Sequence, residues 1–295
     1  MIDSFLYADW DEPPEGMDFE LPYGLALSRV GRLVEALRLC EAPGDAKAWA
    51  MAQELYLLAP AIINVLLNYR ICVEFGLIVH PTEYIDFTRK PGCVVRYLPE
   101  TKAQALELFQ DGITLARGAL RLAPGIPEAM DAFIARLPPA LKDFLYTSKR
   151  DKYTWRASEP ARVAALASAV RKGSAGQADA AGGRPALAVG AAHGAIMPGL
   201  LLAEYLDCPL WFVRFSMFKR KDAEPVLSSV DERVIAEAGQ RGMVLAFDED
   251  CASGLTLRTL VDRLSPLAPS LRSASIIRHA TSSFSPDFSG KTWWD

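Results

Sequence analysis

The sequence predicts an α/β protein: a mainly parallel sheet with flanking helices over residues 151–295, preceded by an all-α N-terminal domain over residues 1–150. Three observations predict it. From Pro185 the chain alternates short apolar runs with amphipathic helical stretches, the pattern of strands buried on both faces and joined by crossover helices. Before residue 150, apolar residues recur at spacings of three and four. The charge balance shifts at the same place, from 15 basic against 20 acidic residues up to 150 to 17 against 16 beyond it.

Each element follows in order. The first 20 residues carry seven acids and no base, the reverse of a cationic targeting segment. Helices are predicted over Leu25 to Leu39, Lys47 to Leu58, Ala61 to Phe75, Lys102 to Leu122 and Pro127 to Tyr146, with Pro60 and Pro124 marking ends. Residues 80–99 hold Pro, Gly and Thr around a Val-Val-Arg-Tyr-Leu run and predict an irregular excursion with one strand. Residues 173–184 are small and polar and predict a connector.

In the second half, strands are predicted at Ala186–Val189, Leu210–Phe215, Met243–Phe247 and Ala274–Ile277. Helices fall between them, up to Tyr205, over Asp231–Gln240 and over Leu255–Leu264. Ser229 with Glu232 predicts a capping box for the middle helix.

Composition excludes several classes. With 295 residues, 51% of them apolar, the chain is neither disordered nor a small disulfide scaffold. A net charge of -4 gives no global attraction for nucleic acid or anionic lipid. The apolar stretches at 57–67 and 186–202 are interrupted by Pro, Asn, His or Gly, so no membrane span is expected. Five cysteines without a CxxC pair predict reduced thiols and a cytoplasmic location.

The most informative window is Val244-Leu-Ala-Phe-Asp248-Glu249-Asp250-Cys251-Ala252-Ser253-Gly254-Leu255-Thr256. A buried strand delivers adjacent acids at its carboxyl end, where open parallel sheets bind ligands. The small-residue loop that follows opens straight into a helix. Its backbone N–H groups, the hydroxyls of Ser253 and Thr256 and the helix N-terminus suit a phosphate dianion, and Gly254 permits close approach. The acids would repel that phosphate, so sugar hydroxyls, reached directly or through hydrated Mg²⁺, are their natural partners.

In these features the window resembles the signature of the type I phosphoribosyltransferases: apolar strand, acid pair, small residues, then Thr/Ser-Gly-x-Thr. The resemblance implies that Asp248 and Glu249 are the catalytic pair, contacting the ribose hydroxyls of 5-phosphoribosyl 1-pyrophosphate and touching Mg²⁺ only through those hydroxyls or water. It implies that Ala252, Ser253, Gly254, Leu255 and Thr256 hold the 5′-phosphate. Asp250 replaces a usual aliphatic residue and Ala252 a frequent hydroxyl.

By the same resemblance, the glycine-flanked turn Ala192-His193-Gly194 stands at the pyrophosphate loop, with His193 where many relatives carry a cation. Arg214 and Lys219, in the run Arg214-Phe-Ser-Met-Phe-Lys219-Arg220-Lys221, stand at the start of the mobile basic loop. The expected activity is Mg²⁺-dependent transfer of phosphoribose to a nucleobase or related acceptor with release of pyrophosphate. The alternative is a non-catalytic sensor of that ligand or of a nucleotide. The helical domain is expected to carry a protein partner or a homo-oligomer contact, or to supply the hood over the site. The tail 282–295, with Trp293 and Trp294, is expected to pack on a partner or to form a hood over the site.

Other readings of the window are weaker. An apolar run ending in Asp-Glu also suits an ATPase, but there is no GxxxxGK[ST] loop. Asp248-x-Asp250 imitates an aspartyl nucleophile of a haloacid-dehalogenase phosphatase, but beyond residue 263 the only Lys and acids are Asp287, Lys291 and Asp295. Ser253 stands where an EF-hand requires glycine. His80 and His279 lack neighbours at zinc-ligand spacing. A structural acid pair at a strand end is the remaining alternative.

Overall fold

The computed structural model describes residues 1–6, 10–40, 45–79, 95–149, 155–174, 184–217 and 222–292. The chain divides into two units, one of Met1–Tyr7 with Asp11–Arg150 and one of Ala8–Trp10 with Asp151–Asp295. His80, Lys219 to Lys221, Trp293 and Trp294, and most of the predicted excursion and connector, lie outside the described residues.

The first unit comprises β1 (Phe19–Pro22), α1 (Tyr23–Arg38), α2 (Ala46–Phe75), α3 (Pro99–Leu120), α4 (Ile126–Arg136), α5 (Pro139–Lys142) and β2 (Leu145–Ser148). The two helices predicted on either side of Pro60 are one. Proline inside a helix costs about 3 kcal/mol. Against that stand Leu57, Leu58, Ile62 and Ile63, each at most 3% exposed and each contributing about 1.5–3 kcal/mol when buried. Breaking the helix at Pro60 would uncover them, so the helix runs through.

A helix apolar on all sides is wrapped on all sides. α2 is long and apolar enough to cross a membrane by length and composition, and 78% of its most apolar window is buried inside the protein. Its polar residues are placed accordingly: Asn68 Nδ2 donates to Asn64 Oδ1 at 3.3 Å, and the Arg70 guanidinium lies 4.7 Å from the centre of the Phe109 ring.

The predicted helix over 127–146 is likewise corrected. Pro138 and Pro139 end α4 at Arg136, and the chain then forms β2, antiparallel to β1 with Phe19 opposite Ser148 and Pro22 opposite Leu145. This two-stranded pairing joins segments more than 120 residues apart, beyond the reach of local periodicity.

The second unit contains α6 (Pro160–Ser174), β3 (Leu187–Ala192), α7 (Ile196–Leu206), β4 (Leu210–Arg214), α8 (Ser229–Arg241), β5 (Val244–Cys251), α9 (Leu255–Leu264), β6 (Leu271–Arg278) and β7 (Phe288–Thr292). The sheet order is β4-β3-β5-β6-β7, and every neighbouring pair is parallel. The α/β class is observed, with a fifth strand that the sequence did not predict. β7 forms the sheet edge from residues expected in the tail, so residues 288–292 do not belong to a hood.

The capping box of α8 sits one residue earlier than predicted. Ser228 Oγ accepts from Asp231 N–H at 3.2 Å, and Asp231 Oδ2 accepts from Ser228 N–H at 2.8 Å. Asp231 wins over Glu232 because it is buried and also accepts from Trp211 Nε1 at 2.8 Å. Glu232 turns outward to pair with Arg263 of α9.

The β7 edge is fixed by Asp287. Its Oδ2 accepts from the N–H and hydroxyl of Ser273 at 2.8 and 2.7 Å, and its N–H donates back to Ser273 Oγ at 3.0 Å. Burial opposes ionisation, yet these hydrogen bonds and Arg272 hold the Asp287 carboxyl below the usual carboxylate range. A group whose folded pKa is depressed stabilises above its unfolded pKa and loses that contribution as pH falls through the folded value. Asp287→Ala is therefore expected to cost about 1 kcal/mol at pH 7, or roughly 2–4 °C in Tm. Thermal melts should show the gap to wild type narrowing below about pH 4; a gap that widens in acid contradicts the assignment.

Candidate functional site

The sheet topology singles out one crevice. β3 leads through α7 to β4 on one side, whereas its other neighbour, β5, leads through α9 to β6 on the opposite side. Adjacent parallel strands whose connections leave in opposite directions open a cleft at their carboxyl ends, the usual ligand position in open α/β sheets. The strand pairing reflects this. β5 pairs with β3 only as far as Phe247, but with β6 as far as Cys251. Asp248 and Glu249 thus begin where β5 parts from β3.

The predicted strand end is therefore corrected: the acids lie within β5, not in the loop beyond it. Asp248 is buried at 6% exposure, whereas Glu249 and Asp250 are half-buried. Glu249 N–H donates to Asp248 Oδ1 at 3.0 Å. The Glu249 carboxylate reaches across the cleft to Gly194 in the turn after β3, where a Cβ on residue 194 would stand 1.8 Å from its Oε1. Only glycine leaves room for that contact.

The turn Ala192-His193-Gly194 thus meets the acid pair. Ala192 is buried, His193 half-buried and Gly194 exposed, and the Ala192–His193 peptide is cis. Arg214 sits beside Ala192 in the register of β3 and β4, but its side chain is only 1% exposed. Like Ala192, this predicted pyrophosphate contact is buried.

The loop Ala252–Thr256 enters α9, whose N-cap is Gly254 at φ 79°. Ala252, Ser253 and Leu255 are exposed and Thr256 is half-buried. Ser253 Oγ accepts from Leu255 N–H at 3.3 Å. One side of Gly254 is covered: a Cβ there would meet Phe284 Cβ at 2.4 Å and Ser282 Oγ at 2.9 Å. The covering residues Ser282 and Phe284 open the tail that the sequence offered as a hood. The placement of His279, whose Nε2 lies 2.8 Å from Asp250 Oδ1, was not read from the sequence.

Burial, then the charge and hydrogen bonding of Glu249, push the Asp248 carboxyl well above the usual range, and Asp250 adds to the effect. The Glu249 N–H hydrogen bond opposes it. Burial likewise raises the Cys251 thiol. Among the described residues no group of three or more His, Cys, Asp or Glu is arranged to hold a metal. Asp248 and Glu249 are nonetheless hard oxygen donors in excess of nearby cations, and they fit a hydrated Mg²⁺ carried by a ligand.

No family model matches the chain, and no curated protein does. Solved structures resemble about half of it. A purine phosphoribosyltransferase from Pyrococcus horikoshii is 20% identical over 47% of this chain and 83% of its own, with a TM-score of 0.33. A Helicobacter pylori xanthine-guanine-hypoxanthine phosphoribosyltransferase is 15% identical over 45% and 86%, with a TM-score of 0.32. The hypoxanthine phosphoribosyltransferase of Trypanosoma cruzi, in complex with IMP, is 15% identical over 49% and 79%, with a TM-score of 0.36.

The pH dependence of stability follows from Asp248. A carboxyl whose folded pKa is raised stabilises below its unfolded value, near 3.8, and loses that contribution as pH rises through the folded value. Asn keeps the acceptor for Glu249 N–H and removes the charge. Asp248→Asn is expected to melt higher than wild type at pH 8, by about 2–4 °C per kcal/mol recovered, with the difference closing toward pH 4. Equal or lower Tm across that range contradicts a charge buried against its neighbours.

Proposed function

We propose that the second unit binds 5-phosphoribosyl 1-pyrophosphate with Mg²⁺ and transfers its phosphoribosyl group to a nucleobase or related acceptor, releasing pyrophosphate. The observation that carries this reading is the convergence at the β3/β5 cleft of an acid pair, the glycine turn 192–194 and the loop that starts α9. Each answers to one part of the ligand.

The 5′-phosphate lies over the N–H groups of Ser253 to Thr256, at the positive end of the α9 dipole. Asp248 and Glu249 accept from the ribose 2′- and 3′-hydroxyls and fix the ring. Glu249 leaves its place over Gly194, and the pyrophosphate takes the space above that turn. Mg²⁺, when bound, offsets charge on the departing pyrophosphate. The protein orients C1′ toward the acceptor and stabilises the oxocarbenium-like transition state by position and charge.

A second reading keeps the ligand and drops the transfer. His193 rather than a guanidinium at the turn, and the burial of Arg214 at 1% exposure, leave less cationic stabilisation for a leaving pyrophosphate. This suits a cytoplasmic sensor that signals to a partner through the helical unit.

Titration calorimetry tests both. Binding of the sugar diphosphate in the presence of Mg²⁺ is expected, and Asp248→Asn with Glu249→Gln should weaken it by about 2–4 kcal/mol. Pyrophosphate release with a nucleobase panel indicates transfer, and binding without release indicates the sensor. No binding by the wild type contradicts both.

A further inference from the structure

Asp250 stands apart from the other two acids of its strand. Glu249 reaches toward the turn after β3, whereas Asp250 faces the opposite neighbour, where it meets His279 just beyond β6. We infer that Asp250 and His279 are positioning residues: they lock residues 279–284 into a brace that holds the Ala252–Thr256 loop in its anion-binding shape. The inference deepens the proposed function and rests on the phosphate reading of that loop.

The brace is built in steps. His279 N–H donates to Cys251 O at 3.2 Å, carrying the β5–β6 ladder one residue past β6. With the backbone fixed there, Nε2 of His279 sits 2.8 Å from Oδ1 of Asp250, with side-chain exposures of 23% and 11%. A contact so shielded is screened less than a surface pair. The chain then turns, with Ser282 N–H donating to His279 O at 3.0 Å, and this carries Ser282 Oγ to within 3.3 Å of Cys251 Sγ. Phe284 lands on Gly254.

From that position the segment grips the loop at three points. Ser282 and Phe284 close the side of Gly254 where a Cβ would stand. Ser283 Oγ donates to Ser253 O at 3.0 Å. Arg258, on the first turn of α9, donates through Nη2 to Ser283 O at 3.3 Å, and its guanidinium lies 5.6 Å from the centre of the Phe284 ring. The last two contacts are exposed, and exposed polar contacts are individually weak. The half-buried contact between Asp250 and His279 is the best shielded of these and anchors the segment.

The consequence is thermodynamic. A five-residue loop with a left-handed glycine has several conformations, and ordering it around a phosphate costs conformational entropy. A loop already held by a brace has met that cost on folding, so the ligand binds more tightly without an added contact. Asp250, out of place as a third carboxylate beside a phosphate, is explained as the anchor of this brace.

Two readouts test it. Hydrogen exchange at the amides of residues 252–257 needs no ligand: His279→Ala should speed it about tenfold, while His279→Gln, whose amide can still donate to Asp250, should stay near wild type. Calorimetry with ribose 5-phosphate should show about a tenfold weaker Kd in His279→Ala, the usual scale for a residue that orients a binding group. Affinity for inorganic pyrophosphate, which faces the 192–194 turn, should not change in that variant. Unaltered exchange in His279→Ala overturns the brace, as does equal loss in the Ala and Gln variants. A wild type that binds neither probe overturns the phosphate reading, and the exchange comparison still decides the brace.

Discussion

One constraint organises the second unit: β3 and β5 lie side by side, but their connections leave in opposite directions. Parallel strands wound in this way open a crevice at their carboxyl ends. β5 then follows β6 rather than β3, pairing with it to Cys251, and its last residues project along one wall of that cleft. The turn after β3 forms the other wall, and the Glu249 carboxylate lies against Gly194 between them. The loop into α9 closes the end. Any ligand that uses this sheet in the ordinary way meets these three features together.

The electrostatics of the cleft favour a particular occupant. Burial, with Glu249 and Asp250 beside it, raises the Asp248 carboxyl above the usual range. A free phosphate supplies neither hydroxyl donors nor a cation to the acids. In the proposed function, a phosphorylated sugar carrying Mg²⁺ would bring hydroxyls and a cation to the acids and an anion to the helix terminus. The acids and the phosphate loop then occupy different parts of one ligand rather than competing for it.

Much of this was legible in the sequence where the signal was local. The apolar run into Asp248-Glu249, the small residues before Leu255 and the range of α9 all follow from hydrophobic periodicity and turn chemistry. What escaped depended on contacts between distant segments. Pro60 reads as a helix end until the burial of Leu57, Leu58, Ile62 and Ile63 is counted against it. The pairing of Phe19–Pro22 with Leu145–Ser148 spans most of the first unit. Ser282, Ser283 and Phe284 read only as part of a tail that could form a hood, and their contacts with Ser253, Gly254 and Arg258 were not legible, because they come from another segment. Asp250 looked anomalous for the same reason: its partner, His279, belongs to the far end of another strand.

The most direct measurement is a crystal structure of the chain grown with ribose 5-phosphate and Mg²⁺. The account predicts phosphate density within about 2.7–3.2 Å of backbone nitrogens in the Ser253–Thr256 turn, with the furanose hydroxyls against Asp248 and Glu249. A sugar phosphate bound elsewhere, with the acid pair facing no ligand, would contradict it.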